Sequence, residues 1–182
     1  MDAQNKILEL QTRISALYSP RDQEYPHVPV VVRTAIWVSF AQRYSEAAKV
    51  MSEASPMLWV PALQLAGQAV ELALKACLCA SKIEPPHKHD LVELYGQVHD
   101  TGIVASEFQQ ACIAHLSHFY FRDFATGTQF KSRYPTSRAE YLGGAVPEQK
   151  HFTSLVEDLC RQAQARADVA TAALVAAGAT SR

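Results

Sequence analysis

Residues 57–83, which read MLWVPALQLAGQAVELALKACLCASKI, decide the fold of this chain. The stretch is the most apolar in the sequence and is long enough to raise the question of a membrane span. Its polar side chains recur at steps of four, three and four: Gln64, Gln68, Glu71 and Lys75. That spacing stacks them in one stripe along a helix, and Glu71 and Lys75 form an i,i+4 pair in the favourable order. The sequence therefore predicts a buried helix with one polar stripe, and no membrane span.

Composition sets the class of protein around this helix. The chain has 182 residues, 48% of them hydrophobic, with 17 Lys and Arg against 18 Asp and Glu and only 7 Gly. This size fits one domain that buries a core without disulfides or metal, and the apolar content excludes disorder over most of the length. A net charge of −1 argues against binding nucleic acid through a broad positive surface. We expect a compact, mostly helical domain.

Six helical segments and no sheet are predicted. They cover residues of about 4–18, 34–54, 57–83, 91–100, 106–121 and 147–177. The fold class is all-α, an antiparallel up-and-down bundle of four to five main helices with an extra N-terminal helix. We expect one domain over 1–182, with an N-terminal helix and Pro-rich loop in 1–32, the bundle in about 33–177 and a disordered tail in 178–182.

Apolar spacing predicts which face of the first two helices is buried. The first helix carries a one-sided stripe of Ile7, Leu10, Ile14 and Leu17. In the second helix, the side chains expected to face inward are Ile36, Phe40, Tyr44, Ala47 and Val50.

Short motifs predict where two of the later helices begin. Asp90 with Glu93, and Ser106 with Gln109, have the spacing of a capping box. Gly102 is expected to close the helix that starts after Asp90.

The N-terminus and the cysteines predict the compartment. The start of the chain lacks the basic residues and the apolar core of a secretory signal. The four cysteines are Cys77, Cys79, Cys112 and Cys160. Three of them lie in apolar helical patterns, where a free Cys behaves as a small hydrophobe. We therefore expect buried free thiols in a cytoplasmic protein.

Histidines are the first candidates for a metal site. His115 and His118 lie three residues apart in one predicted helix, but neither has a Glu three residues before it, as a di-iron bundle requires. His87 and His89 flank Lys88 in a loop without further partners at ligand spacing. The sequence also lacks a P-loop, a Gly-x-Gly-x-x-Gly and a Gly-x-Ser-x-Gly. We expect no metal and no cofactor.

The segment between residues 119 and 138 departs most from the rest of the composition. It holds six aromatic residues, four cations and one acid. These are Phe119, Tyr120, Phe121, Phe124, Phe130 and Tyr134, with Arg122, Lys131, Arg133, Arg138 and Asp123. Aromatic planes interleaved with cations suit single-stranded nucleic acid or a nucleotide phosphate. The alternative is that the aromatic residues complete the core while the charges solvate a loop.

Two stretches of the chain together form a recognisable pattern. The first is Gly67-Gln-Ala-Val-Glu-Leu-Ala-Leu-Lys-Ala76 followed by Ile83-Glu-Pro-Pro-His-Lys-His-Asp-Leu91, and the second is Arg133-Tyr-Pro135. In this order and spacing they resemble the HEPN domain, a helical bundle with a nucleotide-binding role. The resemblance covers about residues 40–165. It implies an antiparallel bundle of four or five helices that often dimerises and often stands beside a nucleotidyltransferase in toxin–antitoxin pairs.

Active members of this superfamily are metal-independent ribonucleases that carry Arg-x4–6-His near the start of the last helix. This chain departs from that pattern, because the nearest Arg upstream of His151 is Arg138. Arg21 and His27 have the spacing, but they lie in the Pro-rich loop, and one such pair is expected by chance. A site assembled differently, from Arg122 or Arg133 with His118 or His151, stays as an alternative.

The resemblance also picks out individual residues. The family-pattern positions are Glu71, Lys75, His89, Asp90, Arg133 and Tyr134. With Lys131 and Arg138 they are our candidate ligand-binding residues, and the weak catalytic candidates are Arg133, His118 and His151. The alternative is structural: Asp90 caps a helix, His89 fixes a loop, and Glu71 pairs with Lys75 or Arg133.

The sequence therefore predicts a non-catalytic HEPN-like module. It is expected to form a homodimer and to bind RNA, a nucleotide or a partner protein, which could be a nucleotidyltransferase. Two alternatives are a ribonuclease and a purely protein-interacting, antitoxin-like subunit.

Overall fold

The computed structural model describes residues 29–120 and 147–180 of the chain. Within these residues the structure is all helical, with no strand. Its five helices are α1 (Thr34–Ala54), α2 (Trp59–Ala80), α3 (Leu91–Asp100), α4 (Glu107–Tyr120) and α5 (Gln149–Thr180). Short 3-10 turns, Val30–Arg33 and Pro56–Leu58, precede α1 and α2. The all-α bundle is thus confirmed, while the helix predicted for residues 4–18 lies outside the described residues.

Helix α2 is the centre of the bundle. It packs against α1, α3, α4 and α5, and almost every side chain from Ala62 to Ala80 is buried. It is also the one described helix that is long and apolar enough to cross a membrane, but most of it is enclosed by the other helices. The stretch that decides the fold is therefore a core helix, as its polar stripe predicts.

Side-chain caps set the starts of α3 and α4 as predicted, with one difference. Asp90 accepts hydrogen bonds from the backbone N–H groups of Val92 (2.9 Å) and Glu93 (3.1 Å). The return bond of a capping box is missing there, because the Glu93 carboxylate pairs with Lys88 instead. At α4 the box is complete: Ser106 Oγ accepts from Gln109 N–H at 3.3 Å and Gln109 Oε1 accepts from Ser106 N–H at 2.9 Å.

The buried face of α1 is not the predicted one. The large side chains predicted to face inward, Ile36, Phe40, Tyr44 and Val50, are 37–54% exposed, and Ala47 is exposed as well. Small residues recur on the opposite face at steps of four and three: Thr34, Val38, Ala41, Ser45 and Ala48. Because α2 already fills the interior with its own side chains, a face of small residues lets the two helices approach closely.

Helix α5 is longer than predicted, running to Thr180 rather than ending at 177. Its first two-thirds pack on the bundle, where Asp158 Oδ2 accepts from Gln109 Nε2 at 2.7 Å. The last residue packed against the core is Ala170, and the following residues to 177 are exposed. Leu174 and Val175 lie in this exposed end, and Val169, one residue before Ala170, is exposed as well.

The four cysteines are free and buried, as predicted. The thiol of Cys77 lies 3.5 Å from the backbone oxygen of Leu159 and so joins α2 to α5. Burial raises the pKa of Cys79 to about 11 and that of Cys160 to about 12. These thiols therefore remain protonated at neutral pH and serve as packing groups.

Candidate functional site

A buried carboxylate on α2 organises the polar centre of the bundle. The Glu71 side chain is 2% exposed, and its Oε1 accepts a hydrogen bond from Lys75 Nζ at 2.7 Å. Its Oε2 lies 2.8 Å from the Tyr120 hydroxyl and 3.0 Å from Nδ1 of His89. Three elements thus meet at Glu71, and the four residues are called here the Glu71 cluster.

The loop between α2 and α3 brings His89 to this cluster. Helix α2 ends in a Schellman motif, in which Ile83 N–H donates to Leu78 O (2.9 Å) and Lys82 takes a left-handed conformation with φ of 63°. The chain then reverses and reaches Asp90, which caps α3. Since His89 immediately precedes that cap, the start of α3 fixes the ring beside Glu71.

Tyr120, the last described residue of α4, closes the other side of the cluster. Its ring lies against Gly67 on α2, where an added Cβ atom would come within 2.5 Å of the ring carbons. Its hydroxyl also lies 2.6 Å from Oε1 of Gln68. Burial, and then the negative charge of Glu71, raises the pKa of Tyr120 well above its usual value. Tyr120 therefore stays a neutral phenol that donates to the carboxylate.

Lys75 offsets the negative charge of Glu71. It is buried, it pairs with Glu71 one turn earlier, and its ammonium lies 5.9 Å from the ring centre of Trp37 on α1. A cation over an indole face is a favourable arrangement. Because the buried charges of Glu71 and Lys75 offset each other, the cluster places no net negative charge beneath the surface at His89.

The cluster reaches solvent through the α2–α3 loop. The His89 side chain is 57% exposed although its Nδ1 is held by Glu71, and the neighbouring Lys88 is exposed as well. Asp90 faces the bundle instead, where it caps α3 and accepts a hydrogen bond from Ser117 Oγ at 3.2 Å. Of the predicted ligand-binding residues, the structure thus brings together Glu71, Lys75 and His89, with Asp90 beside them in a capping role.

The remaining predicted ligand-binding residues cannot be placed in this way. Lys131, Arg133, Tyr134 and Arg138 lie outside the described residues. Their segment nevertheless begins directly after Tyr120, whose hydroxyl is bonded to Glu71.

Of the catalytic candidates, only the side chain of His151 is described. Its Nδ1 accepts a hydrogen bond from the backbone N–H of Glu148 at 3.1 Å, and its ring packs edge-on to Phe108 with centroids 5.0 Å apart. These contacts give His151 a capping and packing role at the start of α5. The side chains of His118 and Arg133 lie outside the described residues, so the structure does not test their pairing.

The described residues offer little to hold a metal. Within residues 29–120 and 147–180, no group of three or more His, Cys, Asp or Glu side chains has the geometry for an ion. The Glu71 carboxylate accepts from three partners at once, which leaves it poorly suited to act as a base or nucleophile. The arrangement is suited to holding three elements in fixed positions under a polar surface.

The HEPN domain family model matches residues 34–164. The chain belongs to the HEPN domain family. The match runs from the first residue of α1 into α5 and includes the whole Glu71 cluster. No similarity to a curated protein or to a solved structure is significant. Family membership confirms the resemblance seen in the sequence, and it makes the chain a helical module of an RNA- and nucleotide-associated type.

Sequence reasoning missed two residues at the Glu71 cluster: Tyr120, which belongs to it, and Trp37, whose ring lies beside Lys75. Tyr120 was expected only as one aromatic residue among six, and Trp37 carried no expectation. The available signal was Gly67, because a glycine inside an apolar helix usually marks a place where another group packs closely. Its partner could not be identified from sequence, since Tyr120 is 53 residues away in the chain.

Proposed function

We propose that this HEPN domain is a non-catalytic module that binds RNA or a nucleotide at the surface formed by the α2–α3 loop and the segment after Tyr120. The observation that carries the proposal is the 2.8 Å bond between Tyr120 and Glu71. It anchors the start of the aromatic and cationic segment next to the loop that carries Lys88 and His89.

The chemistry of this surface favours an anionic, base-containing ligand. Lys131, Arg133 and Arg138 supply positive charge, and Tyr134 supplies a ring on which a base can stack. The neutral Glu71–Lys75 pair beneath the loop avoids repelling phosphate. A small cationic surface of this kind is compatible with a net charge of −1 for the whole chain.

The binding test compares two variants that lose equal charge. Fluorescence anisotropy with a labelled single-stranded RNA, and with ATP as competitor, is measured over a range of salt concentrations. We expect Lys131→Ala with Arg133→Ala to weaken binding and to lower the slope of log K against log salt by about 1.4, or about 0.7 per lost phosphate contact. The control, Lys49→Ala with Lys150→Ala, removes two cations from the facing ends of α1 and α5.

Two results of this experiment would count against the proposed binding surface. Equal loss in both variants would mean that binding follows overall charge and not this surface. No binding by the wild-type chain would remove the proposal and favour the alternative of an antitoxin-like subunit that interacts only with proteins.

A metal-independent ribonuclease is the second candidate, and one observation favours it. Glu71 holds Nδ1 of His89 in the manner of the carboxylate–histidine pairs that orient an imidazole for proton transfer. RNA cleavage in the presence of EDTA that is lost in His89→Ala but kept in His151→Ala would support this function. Absence of cleavage by the wild-type chain would exclude it.

We also propose that the HEPN module is a cytoplasmic homodimer and that its protein partner is a nucleotidyltransferase. The exposed apolar end of α5, with Val169, Leu174 and Val175, supports association. Light scattering on the purified chain is expected to give twice the mass of 20.1 kDa. A monomer at micromolar concentration would contradict the dimer.

A further inference from the structure

We propose that residues 1–28 fold back so that the helix predicted for residues 4–18 packs antiparallel on the exposed apolar face of α1. This surface, the α1 stripe, consists of Val32 in the 3-10 turn that leads into α1, and of Ile36, Phe40, Tyr44, Ala47 and Val50 in the helix itself. None of these six residues belongs to the buried core or to the partly buried residues packed against it among the described residues. The proposal goes beyond ligand binding and assigns this surface to a segment of the same chain.

The lengths match. Fifteen residues of helix are about 22 Å long, and the stripe from Ile36 to Val50 extends over about 21 Å of α1. The described chain begins at Pro29, whose backbone oxygen accepts from Val32 N–H at 2.9 Å, so the segment enters at the first residue of the stripe. The ten residues 19–28 span up to about 33 Å, which is enough for the chain to reverse.

The apolar residues also match in order. The segment carries Ile7, Leu10, Ile14 and Leu17, at steps of three, four and three. When Leu10 is placed opposite Tyr44 in an antiparallel pair, Ile14 lies opposite Phe40 and Ile7 opposite Ala47. In the same register Leu17 reaches Ile36. Apolar layers that meet one after another along both helices are the pattern of a packed helix pair.

Charges beside the stripe agree with this register. With Leu10 opposite Tyr44, Glu9 comes close to Arg43 and Lys6 comes close to Glu46. Both α1 residues are exposed. Opposite charges thus meet at two successive turns, which favours the antiparallel register over a shift by one turn.

Tethering favours the chain's own segment over a second copy. A short flexible linker holds the segment at an effective concentration of the order of millimolar, whereas a second molecule competes only at its own concentration. The segment therefore covers the α1 stripe in the isolated protein and leaves the exposed end of α5 for self-association.

The experiment uses the full chain with paired cysteines that form a disulfide crosslink under mild oxidation when they lie face to face. The four natural thiols are buried and do not compete. Ile7→Cys with Ala47→Cys is expected to give an intrachain crosslink, identified as a joined peptide pair by mass spectrometry. The control, Thr12→Cys with Ala47→Cys, places the first thiol on the polar face of the predicted helix and is expected to crosslink at least fivefold less.

A third variant separates docking from random encounter. Adding Leu10→Glu to the crosslinking pair is expected to reduce the yield to that of the control, while adding Ser15→Glu leaves it unchanged. Equal yields for the pair and its control would overturn the proposal. A crosslink found only between isotope-labelled and unlabelled chains would also overturn it, since the occupant would then be a second copy. Far-UV circular dichroism confirms that each variant retains its helices.

Discussion

Replacing Lys75 by Met tests whether the Glu71 cluster holds the HEPN bundle together. Met keeps the length of the side chain but removes the charge that faces Glu71 at 2.7 Å. Removing one partner of a buried ion pair costs about 3 to 5 kcal/mol, because the other charge is left uncompensated. Tyr120 and His89 continue to donate to the carboxylate, which places the expected loss near 3 kcal/mol. In a chain of this size that loss lowers Tm by about 6 to 12 °C.

The assay is urea unfolding followed by far-UV circular dichroism, with two matched variants. Lys88→Met breaks an exposed pair with Glu93 and is expected to cost less than about 1 kcal/mol. Lys75→Met combined with Glu71→Gln removes both buried charges, so it is expected to cost at least about 1 kcal/mol less than Lys75→Met alone. The reasoning is refuted if Lys75→Met costs no more than Lys88→Met. It is also refuted if the double variant costs as much as Lys75→Met and Glu71→Gln, measured separately, added together.

Two further predictions concern packing and pH. Gly67→Ala places a methyl group within 2.5 Å of the Tyr120 ring, so it is expected to lower the free energy of unfolding by about 1 to 3 kcal/mol. In Gly96→Ala, the control in α3, the new methyl group meets no atom within 4 Å, so this variant is expected to raise the free energy of unfolding by about 0.5 to 1 kcal/mol. Equal effects in thermal unfolding would contradict the close contact. The raised pKa values of Cys79 (about 11) and Cys160 (about 12) mean that the unfolded chain loses thiol protons first, so stability falls as pH rises from 9 through 11. Urea midpoints under reducing conditions measure this fall, which should be smaller in Cys79→Ala with Cys160→Ala; an unchanged slope would contradict it.

The bundle could be predicted from sequence because its signals are local. Helix spacing, the caps at Asp90 and Ser106 and the polar stripe of α2 all involve residues within a few turns of one another. The i,i+4 spacing likewise predicted the Glu71–Lys75 pair. These features follow from helix geometry, which is the same in every fold.

The features that the sequence did not predict depend on contacts between segments that are distant in the chain. Two stripes compete for the core on α1, and the choice of Ala41 over Phe40 is made by the space that α2 leaves. The contact of Tyr120 with Gly67 is likewise decided by how α4 crosses α2. The wrong prediction for the buried face of α1 was useful, because the exposed α1 stripe is the surface that we propose residues 1–28 cover.

Photocrosslinking of a thiouridine-containing single-stranded RNA, followed by peptide mapping, tests the central claim most directly. The proposed function predicts that crosslinked peptides cover the α2–α3 loop near His89 and the segment from 119 to 138. Crosslinks confined to other surfaces, such as the cleft lined by Lys49 and Lys150, would contradict it.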